Sequence, residues 1–426
     1  MDNVLAIFYL LLWIVTFCWY QWKQHIFDGG SVVILSYIIY AVFSLITLND
    51  ELFSSNYNPL KLFPYLYLYT MLMIALSPCI QNHLHPVESI EQPNTCILSV
   101  VSILAIVCVI LLFPTITNNF QNGLIRLFID SDAGKDAYAE QIDNVSERGS
   151  AINNIPAIIF NALSDIVIFL LFYFLTLKKK NIWIICGLGL CIVYSVLDAV
   201  MNGRRGPVIS CFLTILLGYM FFKQFMPKKI VKRVRLVGII AFIMASLPVI
   251  AITSSRFSES TAGVGGFFNW YVGQGSLYFN NYGLNAGGTR NGDRILYLAK
   301  RLIDSDTPKN FMERRVKYHN LDMDDDRFTT FVGDICIDFG PYLTVIIFVV
   351  CYGCILIVTR TRGKTQKLHQ SFLIYLTLCI SMQGGMSLFP YADTANIRML
   401  AMLLFYAYLR YHEVLEKKFP LISLTR

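Results

Sequence analysis

Two arginine-bearing turns carry the most specific chemistry in this sequence. Asn202-Gly203-Arg204-Arg205-Gly206-Pro207 opens one apolar run, and Ser254-Ser255-Arg256-Phe257-Ser258 closes the next. Guanidinium groups never deprotonate at working pH and hold anions through paired hydrogen bonds, so these turns point to an anionic ligand. A second constellation sits in Phe331-Val332-Gly333-Asp334-Ile335-Cys336-Ile337-Asp338-Phe339-Gly340. Asp334 and Asp338, four apart, share one helical face, where they could supply a general base, cap a helix, or pair with arginine. His319 is a third candidate base. Trp270, Tyr271, Tyr278 and Tyr282 lie among glycines and amides, a mixture that suits a sugar and equally suits the headgroup level of a bilayer. No phosphate-binding glycine loop, His-Glu-x-x-His, Gly-x-Ser-x-Gly elbow or Asp-x-Asp metal motif is expected to contribute, and the run Asp322, Asp324, Asp325, Asp326 reads as a solvated turn.

The elements that must position these groups are membrane helices. A mean hydropathy of +0.55 with 55% hydrophobic residues over 426 positions excludes a soluble enzyme. A span needs about 20 apolar residues, and eleven runs qualify: 4–20, 31–48, 60–76, 96–113, 155–177, 182–197, 207–222, 236–252, 341–358, 371–389 and the shorter 397–409. The fold expected is one all-α polytopic membrane domain over residues 1–426. The first run lacks a basic start and a small-residue cleavage site, so it is expected to stay in the protein. Most of the 11 cysteines fall in apolar runs and act as small hydrophobes, which implies neither a disulfide framework nor a zinc site.

Charge sets the orientation. Short loops rich in Lys and Arg stay cytoplasmic. The lysine run Lys178, Lys179, Lys180 and the cluster Lys223, Lys228, Lys229, Lys232, Arg233, Arg235 are such loops. Alternating from them places the N-terminus outside and turns Arg204, Arg205 and Arg256 outward together. The formal charge of +7 is then gathered on the inner side, so nucleic acid is not an expected partner. His319 becomes the one outward histidine. Two outer loops are too long for plain connections, 114–154 and 253–340, and the larger is expected to roof any reaction chamber. Within it Ile295, Leu298, Ala299, Leu302 and Ile303 recur at helical spacing opposite Arg294, Lys300, Arg301 and Asp304, an amphipathic helix that either lies on the membrane or packs the loop down.

In motif order, Asn202 to Pro207, Ser255-Arg256-Phe257, the Gly- and Tyr-rich stretch after it, and Thr330-Phe331-Val332-Gly333-Asp334 to Asp338-Phe339-Gly340 resemble the bacterial O-antigen polymerases, or oligosaccharide repeat unit polymerases. The resemblance covers the second half of the chain in motifs and all of it in topology. It implies a metal-independent, cofactor-free glycosyltransferase of the GT-C type in the bacterial inner membrane, facing the periplasm. Such an enzyme moves a growing chain from an undecaprenyl-diphosphate carrier to the non-reducing end of the next lipid-linked unit. The implied partners are those donors and acceptors, membrane lipid, and a chain-length regulator protein. The implied roles are diphosphate binding by Arg204, Arg205 and Arg256, with Arg398 as a weaker fourth, proton abstraction by Asp338, Asp334 or His319 in that order, and sugar contacts from the four aromatics. The sequence departs from the Arg-x10-Gly pattern of some members: none of Arg126, Arg148, Arg204, Arg205, Arg256, Arg290 or Arg294 has a glycine eleven residues on. Two alternatives stay open. An O-antigen ligase, which hands polymer to lipid A core, would need an outer-loop histidine. A flippase or transporter of lipid-linked oligosaccharide would show paired repeats and midplane charges.

Overall fold

The computed structural model describes residues 1–93, 95–128, 155–202, 204–257, 263–323, 325, 327–361, 363–386 and 389–418, side chains excepted over 115–128, 251–252, 255–257 and 413–418. Fifteen α-helices fall among the described residues. They are α1 Asp2–Gln24, α2 Gly29–Leu48, α3 Leu62–Leu84, α4 Cys96–Phe128, α5 Ile155–Thr176, α6 Ile182–Met201, α7 Arg205–Phe222 and α8 Lys228–Phe257. After these come α9 Gly263–Tyr278, α10 Tyr297–Ile303, α11 Phe311–Lys317, α12 Thr330–Phe339, α13 Pro341–Thr359, α14 Leu368–Met382 and α15 Asn396–Lys418.

The protein is an all-α polytopic membrane protein, with nine of the described helices, α1 to α8 and α13, long and apolar enough to cross a bilayer. Two of the eleven expected spans fall short. The run 371–389 is cut at Met382, just before Gly384 and Gly385, whose helix propensity is poor. The run 397–409 opens α15, a helix that carries on into charged residues as far as Lys418. In the other direction, α4 continues through Pro114 to Phe128, so the first part of the expected loop 114–154 extends a helix; residues 129–154 lie outside the described residues.

The chain forms two compact units. The first is drawn from Met1–Val87, Gly265–Gln366 and Leu373–Met399. Aromatic rings fill its core: Trp13 is fully buried with Tyr37 and Tyr69 at 4.5 and 4.8 Å, and Tyr65 stacks on Tyr9 at 4.7 Å. Lipid is as apolar as leucine, so helices in a membrane hold together through close packing and polar contacts between them. Such contacts recur here. Ser44 donates to the Gly273 carbonyl at 2.6 Å, Thr47 to the Asn269 carbonyl at 3.0 Å, and Tyr67 to the Pro341 carbonyl at 2.6 Å. Gly273 has a packing reason: a Cβ there would run into the backbone of Phe43 and Ser44.

The second unit is drawn from Glu88–Val264, Lys367–Phe372 and the chain from Leu400 onward. In it α5, α7 and the start of α14 share a phenylalanine cluster, in which Phe169 meets Phe222 at 5.3 Å and Phe372 at 5.0 Å. Only five residues separate α7 from α8, which makes the two antiparallel neighbours. The start of α7 and the end of α8 therefore lie at the same end of the pair.

Candidate functional site

In the second unit the arginines gather where α6, α7 and α8 meet. Arg205 Nη1 donates to Thr253 Oγ1 at 3.3 Å, which fixes the first arginine turn against the last turns of α8. Arg256 stands one helical turn beyond Thr253, its side chain outside the described residues. Arg204 is N-terminal to α7, and its amide donates to the Ala199 carbonyl at 2.8 Å, folding the turn back onto α6. Its guanidinium comes no nearer than 3.9 Å to the Asp198 carboxylate, with both side chains partly exposed, and its Nε has no hydrogen-bond partner among the described residues. Asp198 meanwhile accepts from Asn202 Nδ2 at 3.1 Å. The fourth expected member, Arg398, is half-buried in the first turn of α15, within the first unit, and makes no ion pair among the described residues.

The first unit contains a buried charge network that the sequence did not reveal. α12 is buried along its length, so Asp334 and Asp338 are 1% and 0% exposed. A tight turn at Asn291 and Gly292, both with positive φ, lays the preceding loop alongside α12, with the Arg290 amide donating to the Ile337 carbonyl and that of Gly292 to Asp338. Arg290 and Arg294, also four apart, then face the two aspartates. Arg290 Nε lies 2.6 Å from Asp338 Oδ1, its Nη2 3.3 Å from Asp334 Oδ1, and its Nη1 pairs with Asp325. Arg294 Nη1 donates to Asp334 Oδ1 at 2.8 Å. Arg314 pairs with Asp325 and Asp393. Beside this network, Asp293 is fully buried between Lys300, Lys317 at 2.8 Å and the Tyr318 hydroxyl at 2.6 Å.

These partners decide what the aspartates can do. Backbone amides take what the guanidiniums leave: Phe389 donates to Asp334 Oδ2 at 2.7 Å, and Ile295 to Asp338 Oδ2 at 2.7 Å. A general base must reach the proton it removes, and both carboxylates are instead sealed among arginines. Of the roles the spacing allowed, pairing with arginine is the one they occupy. Burial opposes ionisation of Asp325, yet Arg290, Arg294 and Arg314 outweigh it and hold that carboxyl at about 2. Arg290 is raised in turn, Asp338 and Asp325 overcoming the burial that would lower it. Asp325 is thus an ion-pair hub, whereas the sequence suggested a solvated turn; residues 324 and 326 lie outside the described residues. The missing signal was available: Arg290 and Arg294 match the four-residue spacing of Asp334 and Asp338. Arg314 and Asp393 had none, because only folding brings them near.

His319 has the opposite environment. Exposed, it holds the Val316 carbonyl through Nδ1 at 3.0 Å and lines a cleft of about 360 Å³ with Arg315, Tyr318, Asp322 and Met323. The four aromatics expected to bind sugar are packed against protein rings. Tyr278 is 4% exposed and meets Tyr57 at 5.0 Å and Tyr282 at 6.4 Å. Trp270 stacks on Phe53 at 5.6 Å, Tyr271 meets Phe328 edge-on at 5.0 Å, and Arg327 lies 5.6 Å from the rings of both Trp270 and Tyr278. The neighbouring amides are committed too. Asn280 pairs through both its side-chain atoms with the Lys61 backbone at 2.7 and 2.9 Å, and Asn281 does the same with Asn58 at 2.9 and 3.0 Å. Comparison of the chain with protein-family models, curated proteins and solved structures returns no match.

Proposed function

We propose that this protein is a metal-independent membrane glycosyltransferase that polymerises undecaprenyl-diphosphate-linked repeat units into a surface polysaccharide. In this reading the chain has a GT-C-like architecture and sits in the bacterial inner membrane with its active site toward the periplasm. The observation that carries the reading is the end of the α7 and α8 pair, where Arg205 reaches Thr253 and where the Arg204 guanidinium, among the described residues, meets a carboxylate at 3.9 Å. A cation held so loosely by protein groups remains able to take phosphate oxygens in a bidentate fork.

The reaction is a displacement at the anomeric carbon. The acceptor hydroxyl oxygen bonds to that carbon and its proton passes to a base. The bond from the carbon to the diphosphate oxygen breaks, and the electron pair leaves on the diphosphate. Negative charge grows on the leaving group as the bond breaks. Fixed guanidiniums aimed at it stabilise the transition state, and deleting one such contact costs on the order of 100- to 1000-fold in rate. Arg204, Arg205 and Arg256 take this role. The test uses purified protein with radiolabelled lipid-linked repeat units in detergent, without an energy source. Elongation by the parent, lost in Arg204→Ala, Arg205→Ala and Arg256→Ala, supports the assignment; full ladders from all three variants overturn it, and a parent that only relocates its substrate is a transporter.

One observation favours a second reading. Of the three candidate bases only His319 opens onto a cleft, and an exposed outer-loop histidine is what a ligase acting on the same donor requires. If His319→Ala abolished transfer to a lipid A core acceptor while repeat units still polymerised, the ligase reading would replace the first.

A further inference from the structure

The segment from Leu296 to Val316 presents to its surroundings the apolar side chains that an ordinary loop would bury. Leu302 and Ile303, at the end of α10, are each 88% exposed, Val316 is 74% exposed, and Leu296 and Met312 are about half exposed. The apolar stripe of α10 therefore packs nothing down at its far end. Among the described residues its anchors gather at its first turn. Asn396 Oδ1 accepts from the Leu298 amide at 3.0 Å, and Asn396 Nδ2 donates to the Ile295 carbonyl at 3.0 Å. Asp338 Oδ2 accepts from the Ile295 amide at 2.7 Å.

Those anchors also fix the depth of the segment. Asp338 is three residues before Pro341, the first residue of candidate span α13. Tyr342, in the first turn of that span, is 88% exposed, and exposed tyrosines at a span's mouth mark the headgroup level. Six of the eight steps from Ile295 to Ile303 lie in α10 at a rise of about 1.5 Å each, and the other two span at most about 3.8 Å each, so Ile303 lies within about 18 Å of Ile295, which is tied to that mouth. Water is the costly neighbour for two nearly bare branched side chains, and the acyl boundary of the bilayer is the apolar medium within reach. Arg301, exposed beside them, has the long stem that lets an apolar surface sink while its charge stays among headgroups.

We propose that the α10–α11 elbow is an interfacial anchor, seated in the headgroup layer of the same bilayer that α13 crosses, with Leu302 and Ile303 at the acyl boundary. Apart from Lys300 and Lys317, which pair with Asp293, and Arg314, which pairs with Asp325 and Asp393, the charges on the elbow balance: Arg301, Lys309 and Arg315 oppose Asp304, Asp306 and Glu313. Seating is therefore driven by apolar contact and does not require anionic lipid. The anchor stands independently of the glycosyltransferase reading, since any activity of the protein is compatible with it.

The test places a nitroxide on a non-natural ketone residue at position 303 of the full chain in phosphatidylcholine nanodiscs, leaving native cysteines untouched. Position 320, exposed in the same unit, gives the water reference, and position 349, about half exposed within α13, gives the lipid reference. Collision with oxygen, which partitions into lipid, and with a water-soluble nickel chelate report the environment. The expected result at 303 is an oxygen-to-nickel ratio several-fold above that at 320 and below that at 349, unchanged when phosphatidylglycerol is added. A ratio equal to that at 320 places the elbow in water and overturns the proposal. Shielding from both probes means another protein surface covers it, and overturns it equally.

Discussion

Removing the Arg290 side chain should destabilise the protein far more than removing that of Arg204, although both are arginines outside the candidate spans' apolar runs. Arg290 is 1% exposed and sits among the Asp325, Asp334 and Asp338 carboxylates. Arg290→Ala leaves carboxylates buried without their principal cation, and breaking a buried pair in this way costs about 3 to 5 kcal/mol. Net stabilities are only about 5 to 15 kcal/mol, so the unfolded fraction should rise by about two to nearly four powers of ten. Arg204→Ala removes a partly exposed contact at 3.9 Å, which contributes at most about 1 kcal/mol. Arg290→Lys should fall between the two, since an ammonium keeps the charge and loses the planar fork. The assay is unfolding of detergent-solubilised protein by added dodecyl sulfate, followed by tryptophan fluorescence. If Arg290→Ala unfolded at the same dodecyl sulfate fraction as the parent, the network would not hold the loop to α12. Should Arg204→Ala be the unstable variant, its loss of elongation could no longer be read as chemistry.

Asp325 should set the acid limit of the first unit. Its carboxyl is held at about 2 when folded, against about 4 unfolded, so its contribution is complete above pH 4 and fades as pH falls toward 2. Parent stability measured from pH 6 to pH 2 should drop in that window, and Asp325→Asn should be less stable at pH 6 with a flatter fall. Asn280→Ala should cost about 1 to 3 kcal/mol by leaving the Lys61 amide and carbonyl unsatisfied, with the affinity for added sugar unchanged; an equal stability in the same dodecyl sulfate titration would show that water replaces both bonds. Gly273→Val should prevent close approach of α9 to α2 at Phe43, which a lower yield of folded, monodisperse protein would report. His319→Ala should leave the unfolding midpoint within about 0.5 kcal/mol of the parent, because the ring is exposed and holds a single carbonyl.

Legibility in the sequence followed the range of the forces involved. Hydropathy is a property of consecutive residues, so the membrane class and nine of the eleven runs could be read directly. The two that fell short were decided by Gly384 and Gly385 and by the charged end of α15. A short loop between two helices forces them antiparallel, so the shared end of Arg205 and Thr253 was legible as well. Spacing within one helix showed that Asp334 and Asp338 share a face, and left open whether that face meets substrate or arginine.

That last choice belongs to the fold. Arg314 and Asp393 are 79 residues apart and meet only because the loop before α12 folds back over it. Whether a carboxylate is a base or a structural ion depends on the desolvation it suffers and the cations that offset it, both fixed by residues distant in the chain. The aromatics after Gly265 were equally undetermined, since a ring that stacks on sugar and a ring that stacks on Phe53 have the same sequence. By itself the chain determined that apolar helices would cross a membrane and which turns would carry arginine. Tertiary structure alone decided which charges are neutralised by one another and which remain to act, because burial and pairing are properties of an assembled neighbourhood.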